Sequence, residues 1–110
     1  MQKHKVIWTP SAERDLEDII LFIAEENPLN AQSNFEKIKN VANNLESYPN
    51  KGKTVPELKA FGITSYHQIV STPWRILYRF SSTTAYVMAV IDSRRDIEEI
   101  LFNRIIRESN

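Results

Sequence analysis

The feature that most constrains this fold is a pair of neighbouring strand patterns in the second half of the chain. In residues 74–80, WRILYRF, the side chains alternate in character, which is typical of a strand with two different faces. Arg75, Leu77 and Arg79 share one of those faces, so the two guanidinium groups stand about 13 Å apart along it. Residues 86–91 are apolar at nearly every position, as in a central strand that is covered on both sides. A sheet with an arginine-bearing face is therefore the centre of the predicted fold.

Two amphipathic helices are predicted before these strands. Thr9-Pro10 predicts the start of the first helix, because threonine caps free amides and proline needs no hydrogen-bond partner at the first helical position. We expect Asn27-Pro28 to end it. The second helix is predicted over residues 30–48 from its apolar stripe, and the short link between the two helices predicts an antiparallel hairpin.

The remaining segments complete an α+β fold. Residues 5–9 and 63–71 read as strands, residues 56–62 as irregular chain or a short strand edge, and Asp96 as the N-cap of a last helix. The predicted order is β-α-α-β-β-β-α, with the helical hairpin packed on one face of a small, mostly antiparallel, twisted sheet. A chain of 110 residues is expected to form one domain, over residues 1–110.

Composition excludes several classes of function. The chain has no cysteine, which excludes disulfides, thiolate metal sites and a cysteine nucleophile. Its 14 basic residues balance 14 acidic ones, so the net charge gives no argument for a nucleic-acid partner. Basic side chains are nevertheless concentrated in residues 59–95, where Asp92 is the one acidic residue. No apolar run is long enough for a membrane span, and we expect a cytoplasmic protein without a cofactor or a metal.

The candidate functional residues are mostly cations. Arg75 and Arg79 on one strand face would make a site for a phosphate or a carboxylate, and would equally accept the acidic residues of a protein partner or stay solvated. Arg94 and Arg95 follow the last strand, where Arg95 has the structural alternative of pairing with an acidic residue of the first helix. His67 is the interior candidate for acid–base chemistry, although a lone strand histidine is more often structural.

Three segments carry a specific combination of motifs. They are WTPSAERDLEDIILFIAEENP at the first helix, LESYPNKGKTVPELKAFGI at the following loop, and SYHQIVSTPWRILYRFSSTTAYVMAVIDSRRDIEEIL over the strands. In this order and spacing, over residues 5–107, they resemble the RelE/ParE superfamily of toxins from type II toxin–antitoxin systems. The resemblance is closer to the ParE-like and plasmid-stabilisation branch than to typical RelE ribonucleases.

The resemblance implies a growth-inhibitory toxin that a cognate antitoxin neutralises. ParE-like members poison DNA gyrase, whereas RelE-like members cleave mRNA in the ribosome and some relatives nick DNA. We therefore expect a gyrase poison, with a metal-independent nuclease as the alternative. The catalytic residues of that nuclease would be Arg75, Arg79, Arg94 and His67. The C-terminal segment, IEEILFNRIIRESN, lacks the tyrosine or histidine that usually completes a RelE site, which argues against ribosome-dependent cleavage.

The resemblance also implies surfaces for partners. Antitoxin segments of this class often add an apolar helix and an extended strand to the toxin. The expected docking surfaces are the grooves between the helical hairpin and the sheet, and the sheet face that carries Leu77. The residues expected to bind the target or the antitoxin are Lys51, Lys53, Arg75, Leu77, Arg79, Arg94 and Arg95, although the two lysines also fit solvated loop charges. Two assemblies stay open, a homodimer and a heterotetramer with the antitoxin.

Overall fold

A five-stranded sheet with helices packed on both faces forms the molecule. The computed structural model describes residues 4–108, with side chains through residue 104, so both ends of the predicted 1–110 domain lie outside the described residues. The strands are β1 (Lys5–Trp8), β2 (Lys53–Thr54), β3 (Tyr66–Ser71), β4 (Trp74–Ser81) and β5 (Thr84–Asp92). The helices are α1 (Pro10–Ala24), α2 (Pro28–Asn43), α3 (Pro56–Lys59) and α4 (Ile97–Glu108). Within residues 4–108, no helix is both long and apolar enough to cross a bilayer.

The first helix begins where the sequence predicts. The Thr9 hydroxyl accepts a hydrogen bond from the Ala12 amide at 3.2 Å, which satisfies one of the free amides of the first turn. The same hydroxyl donates to the Val87 carbonyl on β5 at 3.0 Å. The cap therefore also ties the start of α1 to the sheet.

Helix α1 ends a few residues before the predicted end at Asn27-Pro28, and this pair also starts the next helix. Helix α1 already ends at Ala24, and Asn27 is the N-cap of α2, accepting from the Asn30 amide at 3.0 Å with Pro28 in the first helical position. An asparagine followed by proline is a start signal as well as a stop signal, and here the start prevails. The α2 segment then tightens into a single 3₁₀ turn, Asn44–Glu46, within the predicted range.

The sheet has the order β1-β5-β4-β3-β2, with β1 parallel to β5 and every other neighbouring pair antiparallel. This confirms the mostly antiparallel sheet. Leu77 pairs with Ala89 whereas Tyr78 pairs with Val87, so Met88 is an extra residue on β5, a β-bulge. The extra residue lies on β5, and β4 keeps the alternation that its sequence predicts.

The two faces of the sheet are covered by different helices. On the hairpin face, which α1 and α2 cover, Ile76 packs in one cluster with Leu16 and Ile38. On the second face, Leu77 packs with Leu58 and Leu101, beneath α3 and α4. Leu77 is fully buried, so the prediction that it faces a partner is wrong. The burial of such a side chain contributes about 1.5–3 kcal/mol, which favours this covered arrangement.

The segment around Leu58, predicted as irregular chain or a short strand edge, is the short helix α3. A Schellman motif ends it: Gly62 has a φ of 78°, and the Ile63 and Gly62 amides donate to the carbonyls of Leu58 and Lys59 at 3.0 and 2.9 Å. Leu58 and Ile63 both join the cluster on the second face. The turn that follows delays the start of β3 to Tyr66.

Candidate functional site

Arg75 is held in an ion pair that joins α3 to β4. Its Nη1 and Nη2 donate to the two carboxylate oxygens of Glu57, both at 2.8 Å, and its Nε donates to the Gln68 side-chain oxygen at 2.8 Å. The Arg75 side chain is only 11% exposed. The hydrogen bonds from Arg75 hold the pKa of Glu57 below its ordinary value. This guanidinium is therefore occupied by partners within the chain.

Arg79 is the exposed member of the predicted arginine pair. On the second face it lies between Tyr66 of β3 and Tyr86 of β5, each directly opposite it in register, and Ile7 of β1 continues the row. We call these four residues the Arg79 row. Ile7 is 44% exposed and the tyrosines are half-buried, so this end of the second face meets solvent. The row places an arginine between two tyrosines on neighbouring strands.

His67 lies on the opposite side of the sheet from Arg79. Its ring contacts Tyr78 on the hairpin face, with ring centroids 5.7 Å apart, and its Nδ1 is buried without a hydrogen-bond partner in the described residues. The Tyr78 hydroxyl donates to the Pro49 carbonyl at 2.7 Å and accepts from the Gly52 amide at 3.0 Å, and burial raises the pKa of this phenol. The structure thus separates His67 from Arg75 and Arg79, which were predicted to act with it.

The arginines after β5 have different surroundings from those predicted. The Arg94 side chain is 78% exposed and pairs with Asp92 through contacts of 2.9 and 2.6 Å. These bonds lower the pKa of Asp92 to about 2 and raise that of Arg94. Arg104, rather than Arg95, pairs with an acidic residue of α1: its Nη1 and Nη2 donate to Asp15 at 2.7 and 3.0 Å.

Lys51 and Lys53, the two predicted lysines, do not lie in one cluster with the candidate arginines. Lys53 is on the edge strand β2, which β3 and β4 separate from β5. Lys51 lines a hollow of about 500 Å³ at the loop before β2, with Asn44 and Tyr48 among its neighbours. Both side chains are exposed. Within residues 4–104, no group of three possible ligand side chains is placed to hold a metal ion.

A groove between α1 and the sheet does collect predicted residues. It has a volume of about 550 Å³ and an apolar floor, and Arg94 and Arg95 lie at its rim. We call it the α1 groove. Its lining is Asp15, Asp18, Ile19, Phe22, Ile23, Pro73, Trp74, Val90, Asp92, Arg94 and Arg95. Phe22 is 76% exposed, and the buried Trp74 Nε1 has no hydrogen-bond partner among the described residues. Phe22 could have been found from the sequence, because it lies outside the regular apolar stripe of α1.

Comparison with known protein families shows the family of this chain. The family model described as "ParE toxin of type II toxin-antitoxin system, parDE" matches residues 6–97. The chain belongs to the ParE toxin family. It is thus a ParE-type toxin of a type II toxin–antitoxin system, as the resemblance implied.

Two solved structures are similar to this ParE-family chain. The chromosomal ParDE toxin–antitoxin system from P. aeruginosa contains a chain with 16% identity and a TM-score of 0.69, and the match covers 84% of this chain and 98% of that one. A chain of the toxin–antitoxin complex RelBE2 from Mycobacterium tuberculosis has 22% identity and a TM-score of 0.56, with 82% and 98% covered. At these identities the likeness supports the fold alone. None of the curated proteins matches this chain in sequence.

Proposed function

We propose that this ParE-family toxin arrests growth by binding and poisoning DNA gyrase, without catalysis of its own, and that its cognate antitoxin neutralises it. The separation of the predicted nuclease residues carries this proposal. His67 contacts Tyr78 on the hairpin face, whereas Arg79 projects from the second face. A nuclease needs a base, an acid and a phosphate-binding cation within reach of one scissile bond. A toxin that acts by protein contact has no such requirement.

The pairing of Arg75 supports the same proposal. A phosphate could reach this guanidinium only by displacing the Glu57 carboxylate, which makes two hydrogen bonds of 2.8 Å to it. The loss of one partner from a buried ion pair typically costs about 3–5 kcal/mol. Since the Arg75 side chain is 11% exposed and the Glu57 side chain 26% exposed, this cost opposes a role for Arg75 in substrate binding.

The α1 groove is our proposed docking site for an apolar segment of the antitoxin. Its floor offers Ile19 and Trp74, Phe22 is exposed above that floor, and its rim carries both carboxylates and arginines. An amphipathic helix binds such grooves through apolar side chains spaced by about one helical turn. Arg94 and Arg95 at the rim would then select acidic residues beside those apolar anchors.

A DNA-cleavage assay tests the proposed target. Antitoxin-free protein is incubated with supercoiled plasmid, with and without gyrase and ATP, and the DNA products are separated on a gel. We expect linear DNA or trapped cleavage complexes that require gyrase, and their loss when the antitoxin is added first. The absence of linear DNA and of trapped cleavage complexes in the lane with gyrase and an excess of the protein would contradict the proposal.

The Arg79 row favours one alternative, a nuclease. A guanidinium binds phosphate and the flanking rings of Tyr66 and Tyr86 would stack on bases, as in other surfaces that bind single-stranded nucleic acid. This alternative predicts nicked circles in the lane without gyrase, and their loss in Arg79→Ala but not in the matched exposed-cation variant Lys53→Ala. Equal nicking by Arg79→Ala and the wild type would count against it.

A further inference from the structure

Two phenylalanine rings are exposed side by side on the second face, away from the α1 groove. Phe61 follows α3 and is 64% exposed, and Phe102 lies on α4 and is 56% exposed. Their ring centroids are 6.4 Å apart, with an angle of 48° between the ring planes. Exposed aromatic rings that contact each other across two separate elements form an apolar patch that a partner can cover.

The surrounding structure fixes the backbone that carries both rings. The Schellman motif around Gly62 sets the backbone at Phe61, since the flanking amides are bonded back to α3. Leu101, the residue before Phe102, is buried in the cluster beneath α4. The backbone at the two rings therefore needs little ordering when a partner binds, which lowers the entropic cost of association.

Carboxylates frame this pair of rings. Asp96, Glu98 and Glu99 line a hollow of about 290 Å³ together with Phe61 and Phe102, and none of the lining side chains among residues 4–104 is basic. Glu98 lies one helical turn before Phe102, on the same side of α4. Asp96 already caps α4, accepting from the Glu99 amide at 3.1 Å. Within residues 4–104, no cation forms an ion pair with Glu98 or Glu99. We call these five residues the acidic aromatic site.

The chemistry of the acidic aromatic site selects a cationic protein segment. Its carboxylates repel phosphates, which opposes a nucleic acid as the ligand. A guanidinium or an ammonium group gains both from the ring faces and from the carboxylates, and an adjacent apolar side chain would cover the rings. We propose that this site binds an arginine- or lysine-bearing, apolar-flanked segment of the cognate antitoxin; the inference rests on neutralisation by an antitoxin, as proposed above.

We favour the antitoxin as the partner because the exposed rings need to be covered for as long as the cell grows. Large exposed apolar patches promote aggregation unless a partner covers them. An antitoxin is the partner that stays bound while growth continues, whereas a target is bound only when the toxin is free. The α1 groove and the acidic aromatic site lie on opposite faces of the sheet. One antitoxin that reaches both would gain avidity from two linked contacts.

Paired variants test this inference through the antitoxin dissociation constant. Phe61→Ala removes one ring, and Glu98→Gln with Glu99→Gln removes the charges while keeping the side-chain size. We expect each to weaken binding by about tenfold, which is the effect of losing roughly one good contact, and the glutamine pair also to reduce the salt dependence of binding. The matched controls are Leu29→Ala and Glu36→Gln, which change an exposed apolar and an exposed acidic residue of α2. We expect both controls to bind as the wild type does.

A charge swap identifies the contact directly. Glu98→Lys toxin is measured against antitoxin variants in which each arginine or lysine is changed in turn to glutamate, and one of them should restore binding. The unfolding midpoint of each toxin variant is checked first, because Glu98 lies in the first turn of α4, which favours acidic residues. The glutamine pair also removes acidic residues from that turn and is checked in the same way, whereas Phe61→Ala lies outside α4 and is independent of this effect.

The outcomes separate this inference from the proposed function. Unchanged antitoxin affinity in Phe61→Ala and in the glutamine pair would overturn the inference, whether or not gyrase is poisoned. Variants that bind the antitoxin normally but lose activity on gyrase would also overturn it, since the site would then serve the target. Weakened antitoxin binding by a toxin that has no effect on gyrase would support the inference and contradict the proposed target.

Discussion

The buried Tyr78 hydroxyl is hydrogen-bonded to the loop before β2 and stabilises it. The Tyr78 side chain is fully buried, and its hydroxyl bonds both the Pro49 carbonyl and the Gly52 amide. Tyr78→Phe keeps the ring but leaves these two backbone groups without that partner. We expect the free energy of unfolding to fall by about 1–3 kcal/mol, measured by urea denaturation. Tyr48→Phe is the control, because the Tyr48 side chain is 53% exposed, and an equal loss in both variants would contradict this account.

The Arg75–Glu57 pair predicts a pH-dependent contribution to stability. Because Arg75 lowers the pKa of Glu57, the folded protein binds fewer protons here than the unfolded chain does. The contribution is therefore present above the ordinary pKa of 4.5 and is lost as the pH falls through the lowered folded value. We expect Glu57→Gln to lower the free energy of unfolding by about 1–3 kcal/mol at pH 7.

The measurement is denaturation between pH 7 and pH 3. The difference between Glu57→Gln and the wild type should shrink as the pH falls through that range. Glu36→Gln is the matched control, since Glu36 is exposed and is expected to differ little from the wild type at any pH. A constant difference for Glu57→Gln down to pH 3 would mean that the ion pair is not its cause.

At the candidate site, the sequence pattern predicted the face on which each side chain lies but not the groups that contact it. The alternation along β4 correctly placed Arg75, Leu77 and Arg79 on one face, because that face depends only on the period of a strand. It could not show that α3 and α4 cover Leu77, or that Glu57 would neutralise Arg75. Those facts depend on the packing of distant elements, which no local pattern encodes.

At the scale of the element, Gly52 before β2 and Gly62 after α3 are expected to differ in how well they tolerate alanine. Gly62 has a positive φ, and a Cβ there would meet no atom within 4 Å, so Gly62→Ala is expected to cost about 1 kcal/mol of backbone strain alone. At Gly52 a Cβ would lie 2.6 Å from the Tyr78 hydroxyl and 2.8 Å from the Gln68 carbonyl oxygen. Gly52→Ala should therefore be the more destabilising change in thermal unfolding, and the reverse order would contradict this explanation.

Helix α4 is anchored through Asp15. That carboxylate accepts two bonds from Arg104 and one from the Val90 amide at 3.0 Å, so it joins α1, β5 and α4. Asp15→Ala should lower stability by about 2–4 kcal/mol and speed amide hydrogen exchange in α4 more than in α2. Asp18→Ala, an exposed acidic residue on the same helix, is the control. Equal exchange in α4 for both variants would contradict the anchoring role.

Prediction at the scale of elements succeeded where a pattern was long or capped. The threonine cap gave the start of α1, and Asp96 gave that of α4, where it accepts from the Glu99 amide. Helix α3 has only four residues, too few for a helical period, and so was missed. The bulge at Met88 was also invisible, since it depends on the pairing of β4 with β5.

At the scale of the whole molecule, three surfaces differ in chemistry: the α1 groove lies on the hairpin face, and the Arg79 row and the acidic aromatic site lie at different places on the second face. The α1 groove is apolar with mixed charges, the Arg79 row is cationic and aromatic, and the acidic aromatic site is anionic and aromatic. A net charge of zero conceals this division, which arises because the fold groups residues that are distant in sequence. A toxin with such surfaces can bind an antitoxin and a target through different contacts.

The exposed α1 groove predicts how the free toxin assembles. Phe22 is 76% exposed above an apolar floor, and an uncovered patch of this kind favours self-association. We expect the free toxin to form a homodimer through this groove in sedimentation experiments, and the antitoxin to replace that contact and give a heterotetramer. Phe22→Ser should shift the free toxin towards monomer, whereas Val70→Ser, at a β3 side chain that is 58% exposed, should not. Equal dimerisation of both variants would show that the dimer contact lies elsewhere. If the antitoxin binds the toxin dimer without dissociating it, the antitoxin and the second toxin chain do not share the groove.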